Sequence, residues 1–128
     1  MIDQAAAKAL FSKENLKDGE QYAGLILGKD GEPDYHPVVL PGEAENVKWA
    51  AAVKWATKTG GDLPTRREQS LLFANLKDQF QPRWYWSGEQ RASIPGCAWL
   101  QSFVYGSQYL YPKSFEYRAR AVRRLKIL

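Results

Sequence analysis

From Arg83 to the end of the chain, apolar residues no longer recur at helical spacing, and short aromatic runs are punctuated by Gly88, Pro95-Gly96, Gly106 and Pro112. Glycine and proline at such intervals stop helices and turn strands, so the last third reads as β structure and loop. The strongest local signal stands just upstream. In Leu63-Pro64-Thr65-Arg66-Arg67-Glu68 the Thr65 hydroxyl is placed to cap the backbone N–H of Glu68, while the Glu68 side chain reaches back to the N–H of Thr65. That pattern predicts a helix from 65 to about Leu76, with Leu71, Leu72, Ala74 and Leu76 available to a core. Helices collected ahead of a β-rich end specify an α+β chain.

The first half supplies the remaining elements. Asp3 caps a short helix over Gln4 to Phe11, with Ile2, Ala6 and Leu10 at four-residue spacing. Tyr22 to Leu27 and Tyr35 to Leu40 read as two strands of a hairpin around the turn residues Lys29 to Asp34. Pro41-Gly42 stops the second strand, and Glu43 to Lys58 reads as an Ala-rich helix with acids at its start and Lys54 and Lys58 near its end. No repeat or linker divides the chain, so one domain is expected over 1–128: a helix and connector at 1–20, a hairpin at 21–42 and a core at 43–128. With 128 residues it can bury about two thirds of its unfolded surface, enough for a core without staples.

Composition removes several chemistries. A single cysteine, Cys97, closes no intrachain disulfide and builds no Cys₂His₂ or Cys₄ zinc site, and one imidazole, His36, assembles no histidine-based metal centre. Neither a metal nor another cofactor is expected. The longest apolar stretch, Trp49 to Val53, is far too short to span a bilayer, and the start of the sequence has no secretory pattern, so the expected address is cytoplasmic. Cys97 follows Pro95-Gly96 and precedes Ala98-Trp99, which suits a buried small hydrophobe better than a nucleophile. Glu68 is explained by the helix cap rather than by general-base chemistry. The chain is read as no enzyme.

Charge is uneven along the sequence. Residues 1–64 hold seven lysines, no arginine and ten acids, whereas residues 65–128 hold three lysines, eight arginines and four acids. Arg118, Arg120, Arg123, Arg124 and Lys126 crowd into the last eleven residues. Two readings follow: an acidic half ion-pairs with a basic half inside the fold, or the arginines face nucleic acid.

The order of motifs is familiar. Gly61-Asp62-Leu63-Pro64-Thr65-Arg66-Arg67-Glu68, Tyr85-Trp86-Ser87, Ala98-Trp99, Phe103 with Gly106, and Arg120-Ala121-Val122-Arg123 resemble, over about residues 47–125, the DUF1566 family. Pro33-Asp34-Tyr35-His36 with Leu40-Pro41-Gly42 resembles the amino-terminal hairpin of small phage and prophage members. The resemblance implies a C-type-lectin-like α+β fold, two helices on a twisted antiparallel sheet, related to formylglycine-generating-enzyme and phage variable-protein domains. Members of that wider fold bind carbohydrates, glycosaminoglycans or proteins, and a minority are enzymes. The cysteine pair of the formylglycine-generating enzymes and the histidines of the iron-dependent sulfoxide synthases are missing here, and Glu32-Pro33-Asp34 lacks the second carboxylate cluster of a calcium lectin.

Within this frame Thr65, Glu68, Trp86, Trp99, Arg120 and Arg123 are assigned structural roles: the cap, two core indoles, and arginines that pair with Glu68 or cap carbonyls. The segment from Phe103 to Tyr117 differs, because Tyr105, Tyr109, Tyr111 and Tyr117 are interleaved with Ser107, Gln108, Lys113 and Ser114. Tyrosine and serine on a loop framework give large contact area at low entropy cost, as in protein-binding paratopes. The expected partner-binding set is therefore Tyr105, Tyr109, Tyr111 and Lys113, with Arg83 and Arg91 at the rim. The expected function is recognition of a protein partner, by family context a host defence or regulatory protein. The alternatives are nucleic acid bound by the arginine-rich half and, less favoured, a glycan bound by a virion adhesin.

Overall fold

A computed structural model describes residues 3–127. Three helices, α1 (Gln4–Asn15), α2 (Trp49–Lys58) and α3 (Arg66–Leu76), accompany eight strands: β1 (Gln21–Tyr22), β2 (Tyr35–Val39), β3 (Ala44–Val47), β4 (Trp84–Arg91), β5 (Ile94–Ser102), β6 (Gln108–Pro112), β7 (Tyr117–Ala119) and β8 (Val122–Lys126). The architecture is α+β. Five strands form a sheet in the order β3-β7-β4-β5-β6, and three more form a smaller sheet, β1-β2-β8. The larger sheet is mixed, not purely antiparallel, because β7 returns parallel to β4 at Tyr85 and Arg118.

Strand alternation sends β4 and β5 side chains to two different cores. Trp86 and Leu100 lie opposite each other on one face, and with Ala98, Ala52, Ala56 and Leu63 they form the core under α2. Tyr85 points to the other face, where Phe80, Phe103, Leu72, Val39 and Val122 form the core under α3 and the small sheet. Phe80 stacks on Phe103 at 4.1 Å between centroids, and Tyr85 meets both rings edge-on. Core residues begin before position 43: Ala23, Ile26, Val38, Val39 and Leu40 are all buried, so the hairpin region is part of the core rather than an appendage to it.

Three element boundaries and one core assignment differ from the sequence reading. The expected helix over Glu43 to Lys58 is a strand, β3, followed by a shorter helix. Glu43 and Glu45, read as helix-dipole acids, flank the buried Ala44 in a two-residue alternation, and Ala44 pairs with Ala119 while Val47 pairs with Tyr117. Asn46 takes a left-handed conformation at φ 51°, which bulges the strand before α2 begins. The hairpin pairs at Gln21 with Val39 and Tyr22 with Val38, breaks at Gly24 (φ 126°), and resumes only as a bridge between Ile26 and Tyr35. The first helix extends four residues beyond Phe11 to Asn15, with Asp3 capping Ala5 N–H at 3.0 Å; Ile2 lies outside the described residues. Ala74 is exposed, on the far side of α3 from the buried Leu72.

These positions give a direct test of the packing. Leu72→Ala removes a fully buried side chain and is expected to cost about 2–5 kcal/mol in urea unfolding. Ala74→Ser on the same helix is expected to change stability by about 0.5 kcal/mol or less.

Candidate functional site

The head of α3 is built around one carboxylate. Glu68 has no solvent exposure, and its two oxygens accept four hydrogen bonds: Thr65 N–H at 2.8 Å, Tyr35 hydroxyl at 2.6 Å, and Arg124 Nε and Nη2 at 2.7 and 2.8 Å. Thr65 Oγ1 in return accepts Glu68 N–H at 3.2 Å, which completes the expected capping box. Burial by itself would raise the Glu68 pKa; the Arg124, Tyr35 and Thr65 hydrogen bonds and the Arg124 charge outweigh it and hold the carboxyl below its usual value. Burial first, then the hydrogen bond to Glu68 and its charge, push the Tyr35 phenol up to about 12, so it stays protonated and donating.

The same logic absorbs the arginines of β7 and β8. Arg118 pairs with Glu43 and Glu45, both at 2.9 Å. Arg120 is buried, lies 5.1 Å over the Phe80 ring, and donates to the carbonyls of Gln79 and Leu40 at 2.8 and 3.1 Å. Arg123 grips Glu20 at 2.8 and 3.0 Å and donates to Asn15 O, and Arg124 adds Asp62 at 2.9 Å to its bond with Glu68. Glu68 is thus partnered by Arg124, while Arg120 caps carbonyls and Arg123 ties the connector after α1 to β8. Four of the five acids used lie in the first 64 residues, so the charge asymmetry of the sequence is largely internal ion pairing.

The C-terminal tyrosines divide. Trp86, Leu100 and Tyr109 lie side by side across three strands, and Ala98 lies beside Tyr111, so both tyrosines stand on the α2 face of the sheet, on edge strand β6. There they join a continuous aromatic surface. Trp84 lies 5.5 Å from Tyr109 and 6.3 Å from Tyr111, and Tyr111 contacts Phe115 and Tyr117 at 5.9 and 5.8 Å. Tyr117 closes the row against buried Trp86 at 5.4 Å. Tyr109 is 50% exposed and Tyr111 36%, and Phe115 is also exposed.

Other members of the expected binding set lie elsewhere. Tyr105, 82% exposed, sits in the turn after β5, and no ring contact joins it to this row among the described residues. Lys113 is not a free rim residue: its Nζ donates to Pro95 O at 2.6 Å and to Gln90 Oε1, and lies 4.8 Å over the Trp49 ring. Arg83 precedes β4 next to Trp84, whereas Arg91 closes β4 at its opposite end, so the two do not share a rim. Trp99 is no core indole. Its position between Ala98 and Leu100 turns it to the α3 face, where the Arg66 guanidinium lies 3.6 Å over its ring. Cys97 is half-buried.

Sequence reading missed Trp84 and Phe115 as part of the aromatic row, although Trp84 follows Arg83 in a two-residue alternation with Trp86. It also missed a buried amide ladder on the opposite face. Gln69 donates to Tyr85 O at 3.1 Å, Gln101 to Gln69 O at 2.7 Å, and Gln108 to Gln101 Oε1 and Arg66 O at 2.7 and 2.8 Å. Among the described residues no group of three His, Cys, Asp or Glu side chains is placed to hold a metal, and no helix is long and apolar enough to cross a membrane. No protein-family model matches the chain, and a search of curated proteins returns no significant match.

The Glu68 cluster predicts an acid limit. A carboxyl whose pKa is lowered in the folded state contributes stability that is complete above about pH 4.5 and is lost as pH falls through the lowered value; Glu20, held down by Arg123, acts in the same direction. The melting temperature is expected to fall below about pH 4.5. Glu68→Gln is expected to cost about 2–4 kcal/mol at pH 7, less than an entirely buried pair because Arg124 is partly exposed and keeps Asp62. Its melting temperature is also expected to depend less steeply on pH in that acid window.

Proposed function

We propose that this chain is a non-enzymatic recognition module of the C-type-lectin-like type, as its resemblance to the DUF1566 family implies, and that it binds a protein partner through the aromatic surface of β6. The observation that carries this reading is the row formed by Trp84, Tyr109, Tyr111, Phe115 and Tyr117, partly open to solvent on a strand whose outer edge is unpaired among the described residues. Aromatic rings already packed against one another lose little freedom on binding, and central aromatic anchors dominate protein interfaces. Tyr109 and Tyr111 are the anchors, with Trp84, Phe115 and Tyr117 as the wall behind them. Arg83 adjoins Trp84 in sequence, while Tyr105, Lys113 and Arg91 are left outside the centre of the row.

A nucleic-acid reading that relies on Arg118, Arg120, Arg123 and Arg124 is weakened by their engagement, since each is held by carboxylates or carbonyls of its own chain. Phage or prophage origin, and a host defence or regulatory protein as the partner, follow from the family resemblance alone.

Tyr109→Ala with Tyr111→Ala is expected to abolish capture of the partner from nuclease-treated host lysate, a loss of about 2 kcal/mol or more, while the melting temperature changes little. Arg123→Ala with Arg124→Ala is expected to lower the melting temperature and leave the captured partner the same. Binding lost in the arginine variant and intact in the tyrosine variant, with both folded, would reject the aromatic site.

A further inference from the structure

Not every cation of this chain is spent internally. Among the described residues Lys29, Arg66, Arg67 and Lys126 have no carboxylate within ion-pair distance, in contrast to the arginines of β7 and β8. All four line one feature. Two adjoining hollows of about 500 and 390 Å³ share Tyr35 and Arg67 and run from the outer side of β6, past the start of α3, to the turn between β1 and β2. Arg66, Ser70, Glu89 and Gln108 border the first; Leu27, Lys29, Pro33 and Lys126 border the second.

Arg66 is held in place before any ligand arrives. The guanidinium carbon lies 3.6 Å from the centre of the Trp99 ring and Nε donates to Gln108 Oε1 at 3.0 Å, while among the described residues the terminal nitrogens make no hydrogen bond to another side chain. Arg67 is anchored through one nitrogen to Leu27 O at 2.9 Å. Two neighbouring guanidinium groups fixed at one edge and open at the other are suited to charge-assisted bonds with planar carboxylates.

We propose that this groove binds an acidic peptide segment, with Arg66 and Arg67 taking its carboxylates and Lys29 and Lys126 providing the flanking charge. The walls favour peptide over nucleic acid. Leu27, 60% exposed, and Pro33 offer apolar contacts between the cations, while Glu32 and Glu89 interrupt the positive surface where a continuous row of phosphates would be repelled. Arg66 already lies over the Trp99 ring, which leaves that indole unavailable on this side for stacking on a base. The groove lies on the α3 face of β5 and β6, opposite Tyr109 and Tyr111, so it is independent of the aromatic site.

The test is fluorescence anisotropy on the full chain, with a labelled peptide of alternating glutamate and leucine and, separately, a single-stranded oligonucleotide of equal length. The peptide is expected to bind the native chain, and Arg66→Gln with Arg67→Gln to weaken it about tenfold or more. Lys29→Gln with Lys126→Gln, which disturbs no internal contact, is expected to weaken it in the same direction and decides the matter if the arginine variant melts early. Lys54→Gln with Lys58→Gln on α2, an equal loss of charge, is expected to leave the affinity unchanged, as is Tyr109→Ala with Tyr111→Ala. Absence of peptide binding, tighter binding of the oligonucleotide, or an equal loss in the α2 or tyrosine variants would overturn the proposal.

Discussion

Glu68 carries a negative charge at a position water does not reach, and such a charge is tolerated only when its lone pairs are engaged by fixed donors. Here the donors come from three parts of the chain far apart in sequence. Thr65 starts α3, Tyr35 belongs to β2, and Arg124 belongs to β8. Satisfying one carboxylate therefore fixes where the helix begins and where both long strands of the small sheet lie against it. Arg124 extends the same joint to Asp62, in the loop whose backbone bridges Val122. β4, whose pairing with β5 shifts register between Trp86 and Gln90, closes it from the other side, with Gly88 N–H donating to Pro64 O at 2.8 Å and Glu89 accepting Arg66 N–H at 2.6 Å.

Once that joint is made, the larger sheet has two different faces to cover. On the α3 face the amide ladder of Gln69, Gln101 and Gln108 ties helix to sheet through its NH₂ donors, with the buried Gln69 Oε1 left without a partner among the described residues, and its outer end holds Arg66 in place. On the α2 face small residues, Ala52, Ala56 and Ala98, let the helix approach Trp86 closely. The start of that short helix meets only the far end of the β6 strand, where Trp49 N–H donates to Lys113 O at 3.2 Å, while Tyr109 and Tyr111 on the strand stay partly exposed. The proposed recognition surface is thus the part of a hydrophobic face that this fold leaves uncovered.

What the sequence disclosed follows the range of the interactions involved. The capping box was legible because all its members lie within four residues, and the β-rich end because glycine and proline act locally. The stretch from Glu43 to Val47 was misread because its preference for helix is overridden by pairing with β7, seventy or more residues away. Trp99 was misassigned for a related reason: strand alternation was visible, but what covered each face was not. The tyrosine-rich segment was recognisable as unusual, yet only the cross-strand register separates Tyr109 and Tyr111 from Tyr105 and places Trp84 beside them, and only the packing of the turn after β6 brings in Phe115. Charge asymmetry between the halves announced ion pairs without revealing that Arg124, rather than Arg120 or Arg123, takes Glu68.

The C-terminal arginines hold the fold together rather than forming a free binding surface. A double-mutant cycle on Glu68 and Arg124, using Glu68→Gln and Arg124→Met with stability read by urea unfolding at pH 7, measures it most directly. A coupling of about 2 kcal/mol or more is predicted, with the double variant less destabilised than the sum of the single ones. A coupling near zero would mean that Arg124 contributes nothing to the buried carboxylate and would contradict the account.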